Sequence, residues 1–262
     1  MTAPRSQKTI GLTLAIFGAL LLTPDTLFMR LSQLDGFNML LWRGGLSGLA
    51  YFMIWLWMRG PRDLSNIWTR NFAIIVACQT GNAALFSLAI ALAPVIVVLI
   101  GVATVPIFAA LLSRLLLGEA LSMRTLITAA MVFLGLFISV LGSDDGHLML
   151  DLTTLIGAGL GLGVAFSLAM NFTIIRKDTD VPFVLAIAVG AIAAAGLAAV
   201  FATTLAWPPL PQMAAIALTG IFILPLSFVT LSYAARFVPS STVSLIMLLE
   251  TVLGPLWVWW GI

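Results

Sequence analysis

Charge is what this 262-residue chain has least of. Only 8% of its residues are Asp, Glu, Lys or Arg and 61% are hydrophobic, whereas a soluble domain carries about 25% charge. A soluble globular domain is therefore excluded. Nucleic-acid binding is excluded too, because the net charge of +2 comes from basic residues scattered over short loops. The single cysteine, Cys78, rules out an internal disulfide, and its apolar neighbours make it a packing residue. The single histidine, His147, has no second histidine and no nearby cysteine, so no metal site can be assembled from such ligands, and no cofactor is expected. There is no G-x-x-x-x-G-K-[ST] loop, so the chain does not hydrolyse ATP itself. No His/Asp or Cys/His cluster supports a membrane-embedded enzyme, and no catalytic residue is expected. The first apolar segment is too long for a cleavable signal peptide and lacks a small-residue cleavage pattern.

What is present is apolar length. Nine segments reach the ~20 residues needed to cross ~30 Å of hydrocarbon: 10–29, 37–58, 71–92, 95–117, 126–141, 155–175, 183–206, 213–235 and 240–262. The basic residues orient them. With the N-terminus cytoplasmic, Arg5, Lys8, Arg59, Arg62, Arg70, Arg114, Arg124, Arg176, Lys177 and Arg236 all fall inside, and only Arg30 lies outside. Arg43 is within a helix, and the outer loop with Asp144, Asp145 and Asp151 is acidic. That split is a strong positive-inside signal for a multi-pass protein of the plasma membrane.

The chain also repeats itself. At a shift of 146 residues Gly11 falls on Gly157, Leu14 on Leu160, Leu22 on Leu168, Arg30 on Arg176, Phe37 on Phe183 and Gly44 on Gly190. At a shift of 145, Ser87 meets Ser232, Pro94 meets Pro239 and Val98 meets Val243. A unit of five helices is odd, so the two copies lie upside down relative to each other, the architecture of alternating-access carriers. The fold expected is an all-α polytopic membrane protein of two inverted five-helix repeats. Residues 1–142 form the first and 155–262 the second, with nine of ten helices present and the tenth expected beyond Ile262.

The last segment, PSSTVSLIMLLETVLGPLWVWWGI, carries one carboxylate, Glu250, near its middle. Charged side chains at that depth cost roughly 2.5–3.5 kcal/mol on insertion scales, so a partner, a watery cavity or a transported ligand must offset it. Burial favours an acid's neutral form, which makes Glu250 a candidate proton carrier; alternatively it stays ionised and binds a substrate ammonium, or it only hydrogen-bonds a neighbouring helix. Asp25 and Arg43 lie at similar depth on antiparallel neighbours joined by a short link, so they are expected to pair. Such a pair either locks the hairpin or serves gating and substrate-carboxylate binding. Their repeat counterparts are Asn171 and Val189, so the charges belong to one half only.

Gln79 and Asn82, three apart, project from one helix face, and Asn171 and Tyr233 offer further hydrogen bonds; each either lines a cavity or glues helices. Trp42 and Trp257 are candidate walls of a vestibule for flat or cationic solutes, the other tryptophans an interfacial belt. Pro24, Pro106, Pro225 and Pro255 interrupt backbone hydrogen bonding and are read as kinks for packing or gating. Gly44 with Gly48, and Gly157, Gly159, Gly161 and Gly163, allow close helix approach. Glu119 is expected to tie Arg114 or Arg124 at the inner face.

These residues resemble a known family. Pro106 followed by IFAALLSRLLLGEALSMRTLITAAMVFLGLFISVLG is similar to the hallmark of the EamA family of the drug/metabolite transporter superfamily, and Glu250 to Trp259, ETVLGPLWVW, resembles the matching stretch of a second copy. Arg43 also fits the family pattern. The resemblance implies ten helices in two inverted repeats and a central cavity lined mainly by helices one, three, four, six, eight and nine. The resemblance does not choose a substrate, because members of the family move amino acids, aromatic metabolites, nucleotide-linked sugars, cations and drugs; the leading expectation is a secondary transporter, an exporter of small amphipathic metabolites such as amino acids or aromatic or cationic compounds. Its partners would be that solute, the lipid bilayer and, as coupling ion, protons, with the protein a monomer or homodimer. A facilitative uniporter or uptake carrier, a channel and a membrane-embedded enzyme remain the alternatives.

Overall fold

Eight helices long and apolar enough to cross a membrane occur among the described residues. The computed structural model describes residues 5–58, 64, 66–119, 123, 127, 130, 131, 134, 152–202, 204–205 and 207–261. The expected fifth segment, 126–141, lies almost wholly outside them, as do Asp144, Asp145 and Asp151. The spans are α1 (Gln7–Leu31), α2 (Gly36–Met58), α3 (Arg70–Leu92), α4 (Val95–Leu117), α5 (Leu152–Lys177), α6 (Phe183–Phe201), α7 (Leu210–Phe237) and α8 (Ser240–Gly261).

Local chemistry sets their ends. Asp35 caps α2, its Oδ1 accepting the amides of Phe37 and Asn38 at 3.1 Å each, and Thr69 caps α3 through the Phe72 amide. Gly118, at φ +67°, closes α4 in the left-handed conformation that glycine adopts without strain. Proline falls just before α4, α6 and α8 (Pro94, Pro182, Pro239), where its fixed φ and missing N–H interrupt no helix.

Three spans are interrupted. α1 is two pieces, Arg5–Leu22 and Asp25–Leu31, divided at Thr23–Pro24. α4 divides at Ala103–Thr104, with Pro106 in the first turn of its second piece. α7 carries a π-helical turn, Leu218–Ile223, just before Pro225, while α8 runs through Pro255.

Packing follows the small residues. α2 lies against α6 and α4 against α8, while α1 packs on α7 and α8 and α5 on α3 and α4. At Gly48 an added Cβ would stand 2.5 Å from Ile192 Cγ1 of α6, and at Gly161 it would stand 2.5 Å from the Val98 carbonyl of α4. Gly159 faces open space instead. The outer surface is apolar, with Leu49, Val200 and Phe222 exposed, and Trp57, Trp68, Trp259 and Trp260 stand out at the ends of the bundle, as lipid and its interfaces require.

Each end is tied by an arginine. At the end remote from the N-terminus, Arg30 Nη2 donates to the Ala93 carbonyl at 2.6 Å. At the N-terminal end, Arg176 Nη1 donates to the Val238 carbonyl at 2.9 Å and its Nε to Glu119 at 2.8 Å. The turn at Gly118 brings Glu119 to the end of α5 and not to Arg114 on its own helix; Arg124, the other expected partner, lies outside the described residues.

Candidate functional site

A cavity of about 30 Å³ lies inside the bundle between α1, α2, α3, α4, α5, α7 and α8. That volume suits one or two water molecules. Three ionisable side chains meet there: Asp25, Arg43 and Glu250, which are 0%, 5% and 3% exposed. Pro24 places Asp25, since the break in α1 restarts the helix at that residue. Arg43 reaches it from α2, with Nη2 donating to Asp25 Oδ2 at 2.5 Å, the pairing expected from sequence depth. The guanidinium also lies 5.5 Å over the Phe86 ring of α3.

The pair leaves part of its capacity unused. Among the described residues, Asp25 Oδ1 and Arg43 Nε are buried without a hydrogen-bond partner. Glu250 lies within electrostatic reach of both Asp25 and Arg43. Among the described residues no hydrogen bond or ion pair engages its side chain. The site therefore holds two carboxyl groups and one guanidinium, and the second carboxyl group is unmatched.

Gln79 and Asn82 line the same cavity, with Phe86 one turn further along α3. The 3–4 spacing of this stripe is the signal that was legible in the sequence. Asn171 stands beside it, its Nδ2 donating to Gln79 Oε1 at 3.4 Å, with its own Oδ1 buried and unpartnered among the described residues. Sequence reasoning missed Ser47, one turn from Arg43, and Ser87, whose buried hydroxyl has no partner among the described residues; both line the cavity. A serine in an apolar run gives no sign by itself of which way it faces.

The remaining candidates lie elsewhere. Trp42 is rotated about 100° from Arg43 on the helix and packs edge-on against Trp207, centroids 4.8 Å apart. Trp257 donates from Nε1 to Thr23 Oγ1 at 3.2 Å, bracing α8 against the break in α1, and stacks on Trp260. Tyr233 lines a separate chamber at the N-terminal end with Trp55 and Arg236. Pro255 lines a surface groove beside Arg30. Among the described residues no group of three or more His, Cys, Asp and Glu side chains converges as a metal site.

Comparison with known proteins agrees with the architecture. The profile of the EamA-like transporter family matches residues 9–141. A solved structure described only as the crystal structure of a protein superposes with a TM-score of 0.76 at 18% identity, covering 96% of this chain and 86% of the other. That likeness concerns the fold alone. No curated protein sequence matches significantly.

Proposed function

The chain belongs to the EamA-like transporter family, and on that premise we propose that it is a secondary carrier of small amphipathic metabolites, working by alternating access around Glu250. The solutes in view are amino acids and aromatic or cationic compounds, moved outward across the plasma membrane, with the N-terminus cytoplasmic. The observation that carries this reading is the unmatched carboxyl group. A buried acid with no partner is costly in a membrane and is tolerated where a proton or a substrate cation completes the charge. Either species can neutralise Glu250 in turn, which is what coupling through this residue requires.

The inverted-repeat reading draws support from the two arginine ties. Arg30 and Arg176 are 146 residues apart, and the carbonyls they hold, Ala93 and Val238, are 145 apart. Equivalent contacts thus close opposite ends of the bundle. The packing agrees: α1 on α7 and α8 is matched by α5 on α3 and α4, the pattern a two-fold axis in the membrane plane produces. In the proposed cycle, both ties and a central cavity of about 30 Å³ fit an occluded state.

Purified protein in liposomes tests the proposal. Saturable solute flux that is lost in Glu250→Gln, with the protein still folded, is the expected result. Flux that never saturates would assign a channel instead, and flux unchanged in Glu250→Gln would remove Glu250 from the mechanism.

A further inference from the structure

A groove of about 480 Å³ lies on the outside of the bundle where α1, α4 and α8 meet, at the end remote from the N-terminus. Val95 and Ile96 of α4 and Pro255, Val258 and Trp259 of α8 line it, with Arg30 of α1 as the one charged lining residue. Arg30 is the last residue but one of its span, Val95 opens α4, and the exposed Trp259 stands near the end of α8. The groove therefore lies where hydrocarbon gives way to headgroups, the depth that tryptophan favours. Two other surface grooves are of similar size, about 390 Å³ beside Phe28 and Pro211 and about 400 Å³ beside Ile67 and Phe72. Neither has a charged residue in its lining, so it is the arginine that sets this one apart.

Arg30 has donors to spare. Its Nη2 is taken by the Ala93 carbonyl. Its Nε and Nη1 make no hydrogen bond among the described residues, and neither atom is buried. No carboxylate among the described residues pairs with it. Arg176, its counterpart in the proposed repeat, makes the same kind of bond to a carbonyl but is neutralised by Glu119 at 2.7 Å. The counter-ion present at one end of the bundle is thus missing at the other. The start of α4 adds a field of the same sign: its N-cap, Pro94, offers no side-chain hydrogen bond, and its first two residues line the groove. Accessible guanidinium donors above apolar walls suit an anion that carries its own hydrocarbon.

We propose that this groove binds an anionic phospholipid, its phosphate held by the free donors of Arg30 and an acyl chain laid along Ile96 and Val258. The phosphate supplies the acceptor oxygens and the negative charge that Arg30 lacks. The acyl chain covers the apolar walls, and the indole of Trp259 lies at headgroup level beside it. A soluble anion would leave those walls uncovered, and a zwitterionic lipid brings an ammonium group that competes with the arginine for its phosphate. The bound lipid touches three spans and so fastens α1 and α8 to α4 at this end. The site is on the lipid-facing surface, away from Glu250, and does not depend on the carrier reading.

Tryptophan fluorescence of the full chain in phosphatidylcholine vesicles tests the site. Bromine quenches an indole that it touches, so lipid brominated near the headgroup end of its chains reports on Trp259. The signal is the difference between each protein and its own Trp259→Phe partner. Brominated phosphatidylglycerol should reach half-maximal quenching at about fivefold lower mole fraction than brominated phosphatidylcholine, the scale of one arginine at an anionic surface. Arg30→Gln should make the two lipids equal, and Arg30→Lys, which keeps the charge, should retain the preference. Ile96→Phe narrows the groove while sparing Arg30 and its bond to Ala93, and should raise the phosphatidylglycerol fraction required severalfold; it carries the test if Arg30→Gln does not fold. Equal quenching by the two lipids in the native protein, a preference that survives Arg30→Gln, or a phosphatidylglycerol signal unmoved by Ile96→Phe would overturn the site. So would release of the brominated lipid by sodium phosphate at matched ionic strength, which would make the occupant a soluble anion. Trp259 shielded from both lipids would overturn it too, by placing a second copy of the chain on the groove.

Discussion

The charge count of the central cavity makes a prediction about non-additivity. Asp25→Asn removes the partner of Arg43, yet Glu250 lines the same cavity and feels the same guanidinium charge, so it is the acid placed to compensate. Glu250→Gln removes the unmatched carboxyl and leaves the Asp25–Arg43 pair intact. Each single change should therefore cost little, about 1 kcal/mol or less if Glu250 takes over fully, the range of a net hydrogen bond. The double variant leaves Arg43 buried with no acid at all. An uncompensated buried charge costs about 3–5 kcal/mol, and a charge pair at ~4 Å in a medium of effective dielectric 20 is worth about 4 kcal/mol, so the two routes agree. The coupling energy should reach about 1–3 kcal/mol or more, where independent sites add within about 0.5 kcal/mol. Equilibrium unfolding of the four proteins in one detergent measures it. Additivity within that margin would refute the idea that Glu250 and Asp25 compete for one guanidinium.

Further outcomes can be stated from the packing and the caps. Gly48→Val drives a side chain into Ile192 and the α6 backbone and should cost about 1–3 kcal/mol of stability by overpacking, whereas Gly159→Ala, inside α5, meets nothing within 4 Å and should cost nothing or stabilise by up to about 1 kcal/mol in the same unfolding assay. A double-mutant cycle on Arg176 and Glu119, 22% and 30% exposed at their side chains, should give less than about 1 kcal/mol of coupling; Arg176→Ala alone should cost more, because the Val238 carbonyl also loses its donor. Asp35→Ala removes the α2 cap and should cost about 1 kcal/mol at neutral pH. Slight burial would raise the Asp35 pKa, but hydrogen bonds from the Asn38 side chain and the Asn38 and Phe37 amides outweigh it and hold the carboxyl below its ordinary value. Its contribution is therefore full above the unfolded value near 3.9 and is lost as pH falls through the lower folded value. The difference in unfolding midpoint between native and Asp35→Ala protein should shrink over that range, and a constant difference would exclude the cap as its source.

The sequence was most informative where a single physical cost acts. Hydrocarbon forbids unpaired charge, so the depth of Asp25 and Arg43 on adjacent spans was enough to foretell their ion pair. Apolar length likewise located eight spans, with differences at the ends: α6 stops at Phe201, short of the apolar run to Ala206, because the chain turns extended at Ala202 before Pro208 and Pro209. What stayed hidden depends on rotation and closure. Trp42 adjoins Arg43 in sequence but points to Trp207, and nothing in an all-apolar helix reveals that rotation. Glu119 finds Arg176, 57 residues on, because the bundle closes the second half onto the first, a contact no local spacing encodes. The prolines showed the same limit: Pro24 and Pro106 stand at breaks, Pro225 follows a π-helical turn and Pro255 sits inside a continuous helix, although the missing N–H is common to all four.

In the proposed repeat the two arginine ties occupy matching positions, yet they are not alike. Arg30 and Arg176 hold equivalent carbonyls, yet among the described residues only Arg176 also holds a carboxylate, Glu119. In the proposed cycle the two ends must open in turn. The end with the extra ion pair has more to break, by an amount of the order of 1 kcal/mol for a half-exposed pair, or about fivefold in population. Glu119→Gln should therefore shift the protein toward the state open at the N-terminal end without touching the cavity. Labelling of single cysteines placed at Ala235 and Ala93, in a background where Cys78 is replaced, reads that shift from the two sides. Labelling raised about fivefold at position 235 and lowered at 93 is the expected result; equal changes at both positions would mean that Glu119 holds the bundle together and not its equilibrium between states.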